Sequence, residues 1–183
     1  MDSVNKKKIT VICGSVREGS LTKSAMGVLV AELSSKKVLV DTIDPSGIKI
    51  TSLGANFSEE IQKDLQKRVR AADAVILCTP EYNGCFSSVL MSLIENLGYP
   101  SVLQDKPIAM LGVASGTIGA IKALEHLRSV CSHLGAVVLP WPISIAEVHQ
   151  QFNKQEECID EKTASLIKSV AKGMLDFLEH WQR

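Results

Sequence analysis

The chain has 183 residues, and its 20 lysines and arginines balance 20 aspartates and glutamates to a formal charge of zero. With 45% hydrophobic residues and a mean hydropathy of +0.14 it has ample material for a buried core, which excludes a disordered or tail-like protein. The balanced charge also excludes the clustered basic excess that binding to a nucleic-acid backbone demands.

At about 100–200 residues per domain, residues 1–183 are expected to form a single domain. The basic run Lys6-Lys7-Lys8 precedes the first apolar stretch, so residues 1–7 read as a flexible, solvated leader. No long apolar core follows these lysines, so no secretory signal is expected. Ile9-Thr10-Val11-Ile12-Cys13 is continuous in apolar character, as a strand buried on both faces should be. Ser20 to Leu33 follows as a helix, with Ala25, Met26, Leu29, Val30 and Leu33 at helical spacing. Val38-Leu39-Val40 reads as the second strand, and a loop with glycine, serine and proline runs from about Asp44 to Ser58. Ser58 then caps a helix whose first turn holds Glu59 and Glu60, at the positive end of its dipole.

The third strand, Ala74-Val75-Ile76-Leu77-Cys78, leads straight into Thr79-Pro80-Glu81-Tyr82-Asn83-Gly84. Ser87 to Leu97 is helical up to Gly98, and Ile108 to Val113 forms the fourth strand. A helix from Gly119 to Leu134 is stopped by Gly135, and Ala136-Val137-Val138-Leu139 is the fifth strand. An irregular stretch around Trp141 to Glu157 precedes a last helix, about Ile159 to His180. Strand alternating with helix five times implies an α/β fold with a parallel sheet covered on both faces. Ligands of such sheets bind beyond the carboxyl ends of the strands, at the switch point of strand order. The loops after Cys13, Cys78 and Val113 are therefore the ones expected to carry function.

The five cysteines (Cys13, Cys78, Cys85, Cys131 and Cys158) are odd in number and form no Cys-x-x-Cys. No histidine lies at ligand spacing from any of them, so no metal site is expected, and a reduced cytoplasmic protein is the simplest reading. The uncharged stretch Pro107 to Ile121 is broken by Gly112, Ser115, Gly116, Thr117 and Gly119. A membrane helix needs roughly 20 mostly apolar residues, so no membrane partner is expected. His126 and His133 lie seven apart on one helix and read as solvent or interface residues rather than a constellation.

Gly14-Ser15-Val16-Arg17-Glu18-Gly19-Ser20-Leu21-Thr22 leaves a buried strand and enters a helix. Hydroxyls, a guanidinium and outward N–H groups at a helix N-terminus suit a phosphate. An ordinary cap made by Ser20, with Arg17 in solvent, is the competing reading. Gly-x-Gly-x-x-Gly, Gly-Lys-Ser/Thr and Gly-x-Ser-x-Gly are all missing, and Gly19 rather than arginine stands six places after Cys13. Those gaps exclude a dinucleotide fingerprint, a P-loop, a hydrolase elbow and a low-molecular-weight phosphatase loop. After the third strand, proline and Asn-Gly define a dense turn whose N–H groups suit the edge of a planar heterocycle. Tyr82 there either shields such a ring or merely packs.

Gly14-Ser15-x-Arg17-x-x-Ser20, together with Pro80-Glu81-Tyr82-Asn83-Gly84, resembles the NADPH-dependent FMN reductase family. The resemblance runs from about Lys8 to Ser144 and includes Ala114-Ser115-Gly116-Thr117-Ile118-Gly119-Ala120 and Leu127-Arg128. It implies a flavodoxin-like, three-layer doubly wound fold with five parallel strands in the order 2-1-3-4-5. It also implies bound FMN, NAD(P)H as co-substrate, and a quinone, free flavin, azo compound or metal oxyanion as acceptor. By the same resemblance Ser15, Arg17, Ser20 and Thr22 hold the phosphate. Pro80, Glu81, Tyr82, Asn83 and Gly84 frame the isoalloxazine ring, and Ser115, Gly116 and Thr117 close its other edge. No side chain is assigned as catalytic, and a homodimer or homotetramer is implied. The chain departs from the family at Thr22 (usually Asn), Ser87-Ser88 (usually Pro-Gly), Ser92 (usually Asn) and Gly119-Ala120 (usually Gly-Gly). A flavodoxin-type electron carrier and a flavin-binding scaffold without turnover are the alternatives, although Arg17 and the balanced charge count against the carrier.

Overall fold

The computed structural model describes residues 6–48 and 57–181. The expected leader lies largely outside these residues, as does most of the loop expected from Asp44 to Ser58. The backbone runs through β1 (Lys8–Cys13), α1 (Leu21–Ser34), β2 (Leu39–Ile43), a 3₁₀ turn (Pro45–Gly47), α2 (Glu59–Arg70) and β3 (Ala74–Tyr82). It continues through β4 (Cys85–Phe86), α3 (Ser88–Glu95), β5 (Pro107–Val113), α4 (Ile121–His133), β6 (Val137–Val138) and β7 (Ile143–Ile145). A short α5 (Val148–Gln151) and the long α6 (Glu161–His180) complete it.

The main sheet is parallel and ordered β2-β1-β3-β5-β6, which is the expected 2-1-3-4-5 once the hairpin strand β4 is set aside. Alternation along the strands divides the core into two. Ile9, Val11, Cys13, Ile76, Cys78, Leu111 and Val113 pack against α1 and α6. Ile12, Val75, Leu77, Ile108 and Met110 pack against α2, α3 and α4. That two-sided burial is why β1, β3 and β5 read as unbroken apolar runs. At the edge, β2 is half-exposed and its Asp41 accepts two bonds from Arg68 of α2, at 3.0 and 2.7 Å.

The fifth strand differs from expectation. It is split into β6, which pairs with Pro107 and Ile108, and β7, which pairs with Leu111 to Val113 further along β5. Pro140-Trp141-Pro142 causes the break, because proline lacks the N–H a ladder needs. Arg128 of α4 closes the gap from below, its Nη2 donating to Leu139 O at 2.7 Å. The stretch expected to be irregular thus contains a strand that packs beside the β5 exit.

Candidate functional site

The strand order reverses between β1 and β3, and a cleft of about 230 Å³ opens there at their carboxyl ends. Arg17, Glu18, Gly19, Ser20, Leu21 and Thr22 form one wall. Pro80, Glu81 and Tyr82 form the second, and Val113, Ala114 and Ser115 the third, with Val148 closing the end.

The first wall is the N-terminus of α1. Three other helices spend a side chain on their own first turn: Ser58 on Ile61 N, Ser87 on Leu90 N and Asp160 on Thr163 N. Ser20 sits at the same position of α1, extended at φ −68°, ψ 114°, and makes no such bond. Only its carbonyl is used, by the N–H groups of Lys23 and Ser24 at 2.9 and 3.0 Å. Among the described residues, the hydroxyls of Ser20 and Thr22 and the N–H groups from Glu18 to Thr22 have no partner within the chain. No acidic residue lies in the first turn of α1. Lys23 is turned aside onto Asp44, at 2.5 Å, while the exposed Arg17 makes no ion pair among the described residues. The positive end of the dipole therefore faces the cleft with no carboxylate of its own first turn to offset it.

The loop reaches this position through Gly14. A Cβ there would stand 2.7 Å from Cys78 O and 3.1 Å from Ser87 Oγ, so only glycine lets β1 leave so close to β3. Gly14 N donates to Cys78 O at 2.7 Å, continuing the parallel ladder. The next ladder bond should come from residue 80 to Gly14 O, but Pro80 has no N–H. Ser87 replaces it: its Oγ donates to Gly14 O at 2.5 Å while accepting Leu90 N at 3.1 Å. The serine that departs from the family pattern is thus the pin that joins β1, β3 and α3.

The second wall continues β3 through Tyr82, then folds back at Asn83-Gly84 into β4, pairing Glu81 with Phe86 and Tyr82 with Cys85. Asn83 (φ 51°) and Gly84 (φ 76°) take the left-handed conformations expected of that pair. Tyr82 is 40% exposed and lines the cleft, whereas the Glu81 carboxylate accepts Ala123 N of α4 at 3.1 Å. The third wall is held by β7 and the turn after it. Ala114 N donates to Ile145 O, Val148 N to Ala114 O and Glu147 N to Gly116 O, at 2.9 to 3.1 Å.

Arg17, Ser20, Thr22, Pro80, Glu81, Tyr82 and Ser115 therefore meet around one cleft, as the sequence led one to expect. Ser15, Asn83, Gly84, Gly116 and Thr117 are not part of that lining but stand in the loops that carry it, with Asn83, Gly116 and Thr117 exposed. Ser15 is buried, and its Oγ accepts Arg17 N at 3.4 Å. Sequence reasoning missed Val113 and Ala114, which reach the cleft at the end of β5 beside Pro80, and Val148, which the turn after β7 brings there. Burial raises the thiol pKa of Cys13 and Cys78 beneath the cleft, while Cys85 stands exposed on the hairpin.

A doubly wound sheet with an open helix N-terminus and a facing aromatic turn at its switch point defines a flavodoxin-like mononucleotide-binding protein. Residues 7–150 match the family described as NADPH-dependent FMN reductase, and the chain belongs to that family. It is 29% identical over 182 residues to an NAD(P)H-dependent FMN reductase of Pseudomonas aeruginosa, covering 96% of this chain and 95% of the relative. A 2-hydroxy-1,4-benzoquinone reductase of a Burkholderia species is 32% identical over 139 residues, covering 74% and 75%. The solved structure of FerB, a flavoenzyme NAD(P)H:(acceptor) oxidoreductase from Paracoccus denitrificans, superposes with a TM-score of 0.79 at 27% identity, covering 95% and 98%. The chain is thus an FMN-dependent oxidoreductase with a nicotinamide nucleotide as co-substrate.

Proposed function

We propose that FMN binds in the β1–β3 cleft and that electrons pass through it from NAD(P)H to a small oxidised acceptor of the quinone or azo class. The observation that carries this reading is the unspent polar equipment of α1. A helix N-terminus with two hydroxyls, a run of N–H groups and an arginine that are all unpaired among the described residues suits a phosphate dianion. The planar part of the same molecule has its counterpart in the rigid turn from Pro80 to Gly84, with Ser115, Gly116 and Thr117 across from it. Bound FMN supplies hydride and electron-transfer chemistry that no protein side chain offers.

The chain's own residues bind and orient. Arg17 pairs with the phosphate, and Ser20 and Thr22 donate to it, with Ser15 fixing the loop from behind. Tyr82 shields the ring plane, and Val113, Ala114 and Val148 keep water from the inner end of the cleft. No side chain is required as acid, base or nucleophile, so none is assigned. An opening of about 230 Å³ is small beside the roughly 300–1,000 Å³ of complete ligand pockets. Tyr82 in its wall and Ile118 in the adjoining loop remain exposed, as does Trp141 between β6 and β7. Both facts support a homodimer or homotetramer in which a second copy covers the ring. Five free cysteines support a reducing, cytoplasmic setting, and one continuous sheet with a core on each face supports a single domain.

Steady-state oxidation of NADPH with a benzoquinone tests the reading. Many turnovers per flavin are expected, whereas a single-equivalent exchange that stops would favour an electron carrier.

A further inference from the structure

Helix α4 begins between the two segments proposed to hold the flavin ring, and it begins without a cap of its own. Ala120 occupies the cap position, and the first turn contains no acidic residue. Two distant elements supply what is missing. Ala123 N donates to Glu81 Oε2 at 3.1 Å, and Ala120 N donates to Ser144 Oγ at 2.8 Å. The first N–H groups of a helix have no partner inside it and carry its positive end, so a carboxylate there is acceptor and counter-charge together. Glu81 stands in β3 between Pro80 and Tyr82, both of which line the cleft. Glu81 lines the cleft beside them, but its carboxylate ends on Ala123 N at the start of α4. Directly before α4 comes the loop with Ser115, Gly116 and Thr117, whose Gly116 O accepts Glu147 N from the turn after β7. One carboxylate therefore fixes the spacing between the turn on one side of the ring and the loop on the other.

We propose that Glu81 is a positioning residue for the flavin ring, acting through the α4 N-terminus rather than by touching the ring. The proposal rests on the flavin reading above and assigns Glu81 a part distinct from that of the phosphate loop. Loss of the clamp weakens everything that depends on the ring and nothing that depends on the phosphate. FMN and riboflavin share the ring and differ by the phosphate, so the ratio of their affinities isolates the phosphate contribution.

The test titrates FMN and riboflavin into flavin-free wild type, Glu81→Ala and Glu81→Gln, reading flavin fluorescence. Glu81→Ala is expected to weaken both ligands by the same factor, about tenfold, for the loss of a charge-assisted hydrogen bond shared between loop order and binding. The FMN-to-riboflavin ratio stays at the wild-type value. Glu81→Gln keeps an acceptor oxygen for Ala123 N and is expected within about threefold of wild type. Hydrogen exchange of the flavin-free proteins supplies the readout independent of ligand: the Ala123 amide exchanges faster in Glu81→Ala and not in Glu81→Gln. Unchanged riboflavin binding in Glu81→Ala, a collapsed ratio, or failure of glutamine to rescue would each overturn the proposal. Wild type that binds neither flavin would defeat the underlying flavin reading, and this proposal with it.

Discussion

Ser87→Ala removes a side chain that is only 2% exposed and serves two partners at once. Its Oγ caps α3 by accepting Leu90 N at 3.1 Å and supplies Gly14 O with the bond that Pro80 cannot give, at 2.5 Å. Loss of a serine cap costs about 0.5–2 kcal/mol. A buried carbonyl left without a donor costs about 1–3 kcal/mol. These terms share one hydroxyl and are not fully additive, so the expected destabilisation is about 2–4 kcal/mol. Urea unfolding of flavin-free protein, followed by far-UV circular dichroism, measures it directly. The exposed hydroxyl of Ser35, which bonds Glu32 O at 2.7 Å, provides the control, and Ser35→Ala should stay within about 0.5 kcal/mol of wild type. A Ser87→Ala variant as stable as that control would refute the argument that Pro80 leaves a ladder gap for Ser87 to fill.

Three further outcomes follow from the geometry. Arg17→Ala should weaken FMN about tenfold or more while leaving riboflavin unaffected, since the guanidinium acts on the phosphate alone; equal weakening of both ligands by equilibrium dialysis would contradict it. With native protein near pH 8, a chromogenic disulfide reagent should label exposed Cys85 fast and half-buried Cys158 more slowly. Cys13, Cys78 and Cys131 should react only after unfolding, because burial raises all three, Cys131 to about 12. The Arg68 guanidinium bonded to Asp41 holds that carboxyl below its ordinary value, so its stabilisation is present above the unfolded pKa of about 3.9 and is lost as pH falls through the lowered one. The stability gap between wild type and Asp41→Asn should accordingly be constant at neutral pH and shrink below about pH 4, and a gap that widened there would reverse the sign of the argument.

Much of the fold was legible because β1, β3 and β5 are buried on both faces, and unbroken apolar runs with amphipathic helices between them leave few arrangements. Weaker signals sat at the edge. Asp41 and Thr42 extend β2 beyond its apolar residues because one face meets solvent and Arg68 satisfies the carboxylate. Ile143-Ser144-Ile145 is too short to stand out behind two prolines, yet it pairs with β5 and brings Val148 to the cleft. The loop proposed to hold the phosphate and the aromatic turn stood out in the chain because each is contiguous. The bonds from Glu81 to Ala123 and from Ser87 to Gly14 span 42 and 73 residues, and no local pattern announces them. For Ser87 one clue existed: a proline two residues past the expected end of a parallel strand leaves a carbonyl on its neighbour in need of a donor.

Titration of flavin-free protein with FMN measures the central assignment most directly. The account predicts saturable quenching of flavin fluorescence at one FMN per chain, with weaker binding of riboflavin, and a yellow protein after dialysis. Protein that stays colourless and leaves the fluorescence of excess FMN unchanged would contradict it.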